Sequence, residues 1–206
     1  MKKIVIFGST GMTGLCALDA AVKKGLTVRV LVRDPARLPD HLRDKVEIIQ
    51  GNVVTDPKSV EDAVDGVDGV VVILGTRNSL EATTDMSVGM KHILEAMVAK
   101  NVKLVSVCLS AFLFYAPEQV PKRFVDLNEE HKRMLGLLKA STVDWIAVLP
   151  PHIADEPSRE LIIEVNPKQS PARVVSKWDL GQFFVDALSE PKYYKSVIGI
   201  ANVPKQ

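Results

Sequence analysis

The stretch that decides the fold runs from Val5 to Gly14 and reads VIFGSTGMTG. Its apolar run ends at Phe7, and glycines then recur at every third position, beginning with Gly8 and Gly11. A strand, a glycine-rich turn and the start of a helix, in this order, are typical of a loop that holds the pyrophosphate of a dinucleotide. The pattern G-x-x-G-x-x-G therefore predicts a nucleotide-binding α/β fold.

A secretion signal is the alternative interpretation of the same stretch, because two lysines precede the apolar run and Leu15-Cys16 follows the glycines. A signal peptide needs an apolar core of about 7–15 residues. Here the apolar run covers only Ile4 to Phe7, and glycines stand where leucines would continue a signal. No apolar run approaches the roughly 20 residues of a membrane span. We therefore expect a cytoplasmic protein.

The amino-acid composition limits the kinds of partner and site that the protein can have. The chain has 206 residues, of which 47% are hydrophobic and 25% charged, with a formal net charge of +1. A net charge this close to zero gives no excess of basic residues that would indicate binding to nucleic acid or to an anionic membrane. The two cysteines, Cys16 and Cys108, form neither a CxxC motif nor a cluster with metal-ligand spacing. We expect reduced cysteines, no metal site and small-molecule partners.

Short apolar runs alternate with helical patterns through the first three quarters of the chain. The helical pattern from Leu15 ends before Gly25, and a stripe from Met86 to Met97 has the spacing of a buried helix face. Alternating strands and helices predict a doubly wound parallel sheet, a Rossmann-type α/β fold, in a single domain over residues 1–206. The predicted strands are Ile4–Phe7, Val28–Val32, Val46–Ile49, Val70–Leu74, Leu104–Cys108 and Trp145–Leu149.

The pattern becomes irregular after Leu149. Five prolines punctuate the next stretch, which has one apolar run, Leu161–Ile163, before a final helix from about Trp178 to Leu188 and a strand near Val197–Ile200. Ligands of open α/β sheets bind at the carboxyl ends of the strands. We therefore expect the substrate site to be built from the strand ends and the segments 110–125 and 150–175.

The residue at the end of the second strand discriminates between the two nicotinamide cofactors. An acidic side chain there binds an unmodified ribose, and a basic one accepts a 2′-phosphate. This chain has Arg33 at that place and Arg37 close by. Arginine can bind phosphate oxygens with both arms of its fork. NADPH (NADP+) is the expected cofactor, although Asp34 leaves the unphosphorylated form as an alternative.

Further cofactor contacts are expected at the loop and at the later strand ends. Thr10 and Thr13 can add hydroxyl donors, whereas Met12 adds none and is expected to cover the edge of the cofactor. Asn52 can hydrogen-bond an adenine edge. At the end of the fourth strand, Gly75 would let the backbone pass close to the cofactor. The remaining candidates for cofactor binding in these places are Gly8, Gly11, Gly14, Val53, Leu74, Thr76 and Arg77.

The chain resembles the biliverdin reductase B family, the NADPH-dependent flavin reductases, which are atypical short-chain dehydrogenases/reductases. The resemblance spans essentially the whole chain and is carried by GSTGMTG, VLVRDPARLP, LGTRN, SAFLFY, VPKRF, LPPHI and ARVVSKWDLG. It implies a monomeric enzyme of heme catabolism that moves hydride from NADPH to flavins (FMN, riboflavin, FAD) and to biliverdin IXβ. It also implies activity on quinone-like acceptors.

The resemblance also implies roles for particular residues. Ser110 and His152 match the residues discussed in catalysis, Cys108 would lie beside the nicotinamide, and Pro151 and His152 are further candidates for cofactor binding. From the residues alone, Ser110 can equally be a strand-end hydrogen bonder, and His131 is open between a solvated helix face and the lip of the site. The open substrate site would be lined by Ser110, Phe112, Tyr115, Arg123, His131 and Arg173.

The chain departs from the family at three places. Asn52 replaces an aspartate, which leaves an adenine hydrogen bond possible, and Tyr115 stands for a tryptophan. Met12 replaces a polar residue that can lie over the cofactor against Arg77, so that clamp is absent here. We expect faster cofactor exchange as a result.

Most short-chain dehydrogenases use a Tyr-x-x-x-Lys pair to move a proton. None of Tyr115, Tyr193 and Tyr194 has a lysine four residues later. This argues against ordinary alcohol–ketone chemistry and suits an acceptor whose own conjugated ring takes up hydride. It fits equally well a non-catalytic NADP(H)-binding redox sensor, the alternative function. A nucleotide-sugar epimerase is disfavoured by the same absence and by the short C-terminal portion.

Overall fold

A computed structural model describes residues 1–76 and 79–204. Its strands are β1 (Lys3–Phe7), β2 (Thr27–Val32), β3 (Glu47–Gln50), β4 (Gly69–Val72), β5 (Leu104–Cys108), β6 (Asp144–Leu149), β7 (His152–Ala154), β8 (Leu161–Val165), β9 (Val174–Ser176) and β10 (Ser196–Asn202). Its α-helices are α1 (Met12–Lys23), α2 (Asp40–Arg43), α3 (Pro57–Val64), α4 (Asp85–Ala99), α5 (Val125–Ala140) and α6 (Lys177–Asp186).

The central sheet has the strand order β3-β2-β1-β4-β5-β6-β10-β8. Every neighbouring pair is parallel except β8, which runs antiparallel to β10 at the edge. Because the strand order reverses at β1, the carboxyl ends of β1 and β4 diverge and open a crevice between their loops. This arrangement confirms the doubly wound Rossmann-type α/β fold.

Helices cover both faces of the sheet, and the central strands are therefore buried on both sides, unlike the edge strands β3 and β8. Successive residues of β1 point to opposite faces. Ile4 and Ile6 pack in a core with α1 and α6, and Val5 and Phe7 pack in a second core with α3, α4 and α5. The predicted methionine stripe lies in this second core, fully or nearly fully buried from Met86 to Met97.

The predicted end of helix α1 before Gly25 is confirmed. Gly25 follows α1 with φ +78° and Asn101 follows α4 with φ +55°, both in the left-handed region. α3 begins at a proline, and its N-cap Asp56 accepts a hydrogen bond from the Ser59 amide at 3.1 Å. That helix was not among the sequence predictions, although Asp-Pro is a typical start signal.

The segment after Leu149 has more regular structure than expected. β7 pairs in parallel with β9, with His152 opposite Val174, in a separate two-stranded sheet. The apolar run Leu161–Ile163 forms most of β8. The prolines therefore lie in the connections between the strands and separate one strand from the next. None of the helices described is long and apolar enough to cross a membrane.

Candidate functional site: a dinucleotide cleft and its acceptor end

The glycine loop joins β1 to α1, and its outer glycines are required by packing. Gly8 has φ +86°, and a Cβ there would lie 2.1 Å from the carbonyl oxygen of Ile73. A Cβ on Gly14 would lie 2.0 Å from the carbonyl oxygen of Gly8. No side chain fits at either position, so both glycines serve the tight turn and the close helix–strand packing.

Gly11 differs from the outer two glycines. It is exposed, and the nearest atom to an added Cβ would be the Gly8 carbonyl oxygen, at an ordinary 3.5 Å. Gly11 is also the N-cap of α1, which has no capping side chain and no acidic residue in its first turn. The free amides and the positive end of the helix dipole therefore favour an anion at this place.

A cleft of about 560 Å³ opens over this loop, within the range of small-molecule sites. It gathers most of the predicted cofactor residues. These are Gly8, Thr10, Gly11, Met12, Thr13, Gly14, Arg33, Arg37, Asn52, Val53, Leu74, Gly75, Thr76 and Cys108. Arg77, also predicted, lies outside the described residues.

Both arginines of the predicted phosphate site line the cleft and are exposed. Within the described parts of the chain neither forms an ion pair. Asp34 is engaged elsewhere, since its carboxylate accepts a hydrogen bond from the Ala36 amide at 3.0 Å and caps the turn Pro35–Arg37. It is not among the described cleft-lining residues, so the electrostatics of this end favour a phosphate.

The loop after β3 is held in place by its own hydrogen bonds. The side-chain oxygen of Asn52 accepts from the Val54 amide at 2.9 Å, which leaves the side-chain NH₂ as its donor toward the cleft. The carbonyl of Val53 lies 2.9 Å from His92 Nδ1 on α4. α4 thereby fixes the loop that lines the predicted adenine end of the cleft.

Cys108 contributes an unreactive apolar surface to the cleft. It is buried at the end of β5, and burial raises the pKa of its thiol to about 12. The side chain is therefore a neutral thiol at physiological pH and not a nucleophile.

Two residues discussed for catalysis, Ser110 and His152, are not among the residues that line the cleft, although His152 directly precedes the lining residue Ile153. The Ser110 hydroxyl accepts a hydrogen bond from the Phe112 amide at 3.2 Å and caps the short turn Ala111–Phe114. His152 is exposed on β7, and its amide donates to the Arg173 carbonyl at 3.2 Å. Pro151 and Arg173 are likewise absent from the lining.

An aromatic cluster borders the cleft. The ring of Phe112 lies 5.0 Å from that of Phe124 and 5.7 Å from that of Tyr115, measured between centroids. The guanidinium of Arg123 lies 4.7 Å from the Phe124 ring centroid. Phe124 itself lines the cleft, whereas Tyr115 is 44% exposed. The cluster therefore places aromatic rings and a cation at the edge of the cleft.

Several cleft residues were not predicted from the sequence. Leu80, Asp85 and Met86 come from the segment that leads into α4, and Leu127 from the first turn of α5. Phe124 directly follows Arg123 in the stretch VPKRF and could have been considered with it. The other unpredicted lining residues are Phe7, Leu31, Val32, Gly51, Val54, Ile73 and Ile153.

His131 lies neither on a solvated face nor at the lip of the cleft. It is 8% exposed on the inner side of α5, and its Nδ1 has no hydrogen-bond partner among the described residues. Burial lowers the pKa of this histidine from 6.5 to about 4, against a smaller opposing effect of Glu130. The side chain turns inward because α5 packs its buried residues against the core, so His131 is a neutral interior group at pH 7.

Because the pKa of His131 is lowered by burial, we expect the free energy of unfolding to depend on pH. Its folded pKa lies below its unfolded value, so the unfolded state binds the extra proton as the pH falls below 6.5. Between pH 7 and pH 5 the free energy of unfolding should fall by about 2 kcal/mol through this group. Urea titrations at both pH values should show a smaller fall for His131→Asn than for the exposed control His41→Asn. Equal falls for both variants would contradict the assignment.

The fold and the cleft together define a Rossmann-type protein with a dinucleotide-binding cleft. A family model described as NAD(P)H-binding matches residues 8–191, and the chain belongs to that family. The nicotinamide cofactor expected from the glycine loop is thereby confirmed.

Solved structures share the fold over their full length. A Rossmann-fold NAD(P)-binding family protein from Shigella flexneri is 19% identical, with a TM-score of 0.79 over 100% of this chain and 98% of that one. A short-chain dehydrogenase/reductase from Veillonella parvula, solved with NADP, is 18% identical, with a TM-score of 0.81 over 98% and 94%. An oxidoreductase from Lactococcus lactis is also 18% identical, with a TM-score of 0.81 over 98% and 92%. At identities this low, the likeness shows the fold.

Proposed function

We propose that this protein is an NADPH-dependent reductase that transfers hydride to flat conjugated acceptors, namely flavins and biliverdin IXβ. The observation that carries the proposal is the aromatic cluster of Phe112, Tyr115 and Phe124 at the edge of the cofactor cleft, with Arg123 against it. Aromatic faces favour stacking with a flat ring, and an arginine favours a flavin phosphate or a tetrapyrrole carboxylate.

The chemistry of the cleft supports an acceptor of this kind. Among its described lining residues there is no tyrosine, histidine or lysine, so the cleft offers no tyrosine–lysine pair as proton donor. NADPH supplies the hydride when bound, and the proton that completes reduction can come from water. The residues of the site then contribute binding, orientation and proximity.

Within this proposal the cofactor residues divide by position. The glycine loop and the amides of α1 would hold the pyrophosphate, Arg33 and Arg37 the 2′-phosphate, and Asn52 the adenine edge. Ser110 and His152 would border the reacting rings, and Arg173 would face the anionic end of the acceptor. The resemblance to the flavin reductase family supports the same division.

Steady-state turnover tests the proposal. The protein is mixed with NADPH and either FMN or biliverdin IXβ, and loss of the NADPH absorbance is compared with blanks that lack protein. We expect consumption above the blank with both acceptors. A protein that binds NADPH but consumes none with either acceptor would instead fit the redox-sensor alternative.

Replacing Ser110 tests its contribution to catalysis. We expect Ser110→Ala to lower kcat with FMN by roughly two- to tenfold, the value of one hydrogen bond, and to leave the NADPH Kd within about twofold. Ser110→Thr keeps the hydroxyl and serves as the matched control. If kcat and Kd are unchanged in Ser110→Ala, the hydroxyl only caps its turn.

A further inference from the structure

At the start of helix α4, Thr83 Oγ1 accepts a hydrogen bond from the Asp85 amide at 3.1 Å, but the N-cap side chain caps none of the amides that follow. Its N-cap residue Thr84 makes no side-chain capping hydrogen bond. The amide of Ser87, in the first turn, donates instead to Glu130 Oε1 of α5 at 2.7 Å. Glu130 is completely buried, so a carboxylate from a neighbouring helix serves as the missing cap.

A second contact joins the same two segments. Arg133, one turn further along α5, donates from Nε to Glu130 Oε2 at 2.8 Å and from Nη2 to the Thr83 carbonyl at 2.8 Å. Glu130 therefore binds the Ser87 amide just after the start of α4, and Arg133 binds the Thr83 carbonyl just before it. We call Glu130 and Arg133 the α5 latch.

The backbone that the latch holds lines the cofactor cleft. Asp85 and Met86 lie between the two latched residues and contribute to the cleft wall, and Leu80 contributes from the irregular segment just before them. On the other side, α5 supplies Leu127 one turn before Glu130. The latch thus joins two parts of the cleft wall that are about 40 positions apart in the sequence.

A buried carboxylate is a costly way to hold two helices together, even where its partner is exposed, as Arg133 is here. Apolar side chains of similar volume often stabilise such a contact as well or better, whereas a hydrogen-bonded carboxylate can fix its geometry. Among the described residues, the hydrogen bonds of this carboxylate are with the Ser87 amide and the Arg133 guanidinium.

We propose that Glu130 is a positioning residue for the cofactor: with Arg133, it sets the place of the α4 start and thereby the width of the NADPH cleft. The proposal rests on NAD(P)H binding, which the family shows, and not on the identity of the acceptor. It applies to a reductase and to a redox sensor alike.

Cofactor titration with three variants tests the latch. Glu130→Leu removes the cap and the charge, Glu130→Gln keeps an oxygen for the Ser87 amide, and Arg133→Met removes the contact to Thr83. Glu129→Gln is the matched control, because Glu129 is exposed on the same helix and pairs with the neighbouring Lys132. The readouts are the NADPH Kd, hydrogen exchange of residues 83–88 and kcat at saturating NADPH.

We expect Glu130→Leu and Arg133→Met to raise the NADPH Kd roughly five- to tenfold, with faster exchange at residues 83–88 and unchanged kcat. Glu130→Gln should recover part of the affinity, and the control should match the wild type. If Glu130→Leu fails to fold, the other two variants carry the test. Folded variants whose NADPH Kd equals that of Glu129→Gln would overturn the proposal, whatever their thermal stability.

Discussion

Arg33→Ala should lower the affinity for NADPH by roughly 10- to 150-fold and leave the affinity for NADH within about twofold. The change removes a charge-assisted contact to phosphate, which contributes on the order of 1.5–3 kcal/mol. Arg33 lines the cleft and is exposed, and no ion pair of the described chain includes it, so the substitution breaks no described salt bridge.

Two further measurements define what Arg33 does. Arg33→Lys keeps the charge but not the fork, and should fall between the wild type and Arg33→Ala in NADPH affinity. NADH serves as the internal control in the same titration. Equal losses for NADPH and NADH would show that Arg33 does not bind the 2′-phosphate.

Gly14→Ala should mainly lower the stability of the fold, whereas Gly11→Ala should mainly lower the affinity for NADPH. The added Cβ at Gly14 would meet a backbone carbonyl at 2.0 Å, and neither atom can move without displacing β1 or α1. We expect a loss of more than about 3 kcal/mol in the free energy of unfolding, which is exceptional for a single methyl group. Chemical denaturation measures this directly.

Gly11→Ala places its Cβ in ordinary contact at 3.5 Å, and the extended backbone of Gly11 (φ −84°, ψ 167°) suits alanine. Stability should therefore change by less than about 1 kcal/mol, within the range of ordinary surface substitutions. NADPH binding should fall by about 100-fold or more, because the methyl group would occupy the space that the pyrophosphate needs. Unchanged NADPH affinity in Gly11→Ala would place the cofactor away from this loop.

The sequence predicted most of the fold because the determining signals are local. Buried strands between two helix layers are apolar on both faces, and the glycine loop joins the first strand to the first helix within seven positions. The central strands and the cofactor-lining residues of the loop followed from these patterns. β7 and β9 did not, because their pairing joins residues 22 positions apart across several prolines.

The remaining part of the site depends on tertiary packing. Nothing around His131 in the sequence shows that α5 turns it inward, since charged residues flank it on both sides. The contact between Ser87 and Glu130 spans 43 positions and leaves no motif. Phe124 and Leu127 become cleft residues only because α5 starts beside the loop–helix junction of α4.

The most direct test of the proposed activity is an anaerobic single turnover. The protein saturated with NADPH is mixed with FMN, and the absorbance bands of the flavin and of NADPH are followed together. We expect both bands to decrease at the same rate and in equal molar amounts, faster than in a mixture without protein. If both bands decrease no faster than in that mixture while NADPH remains bound, the protein is not a flavin reductase.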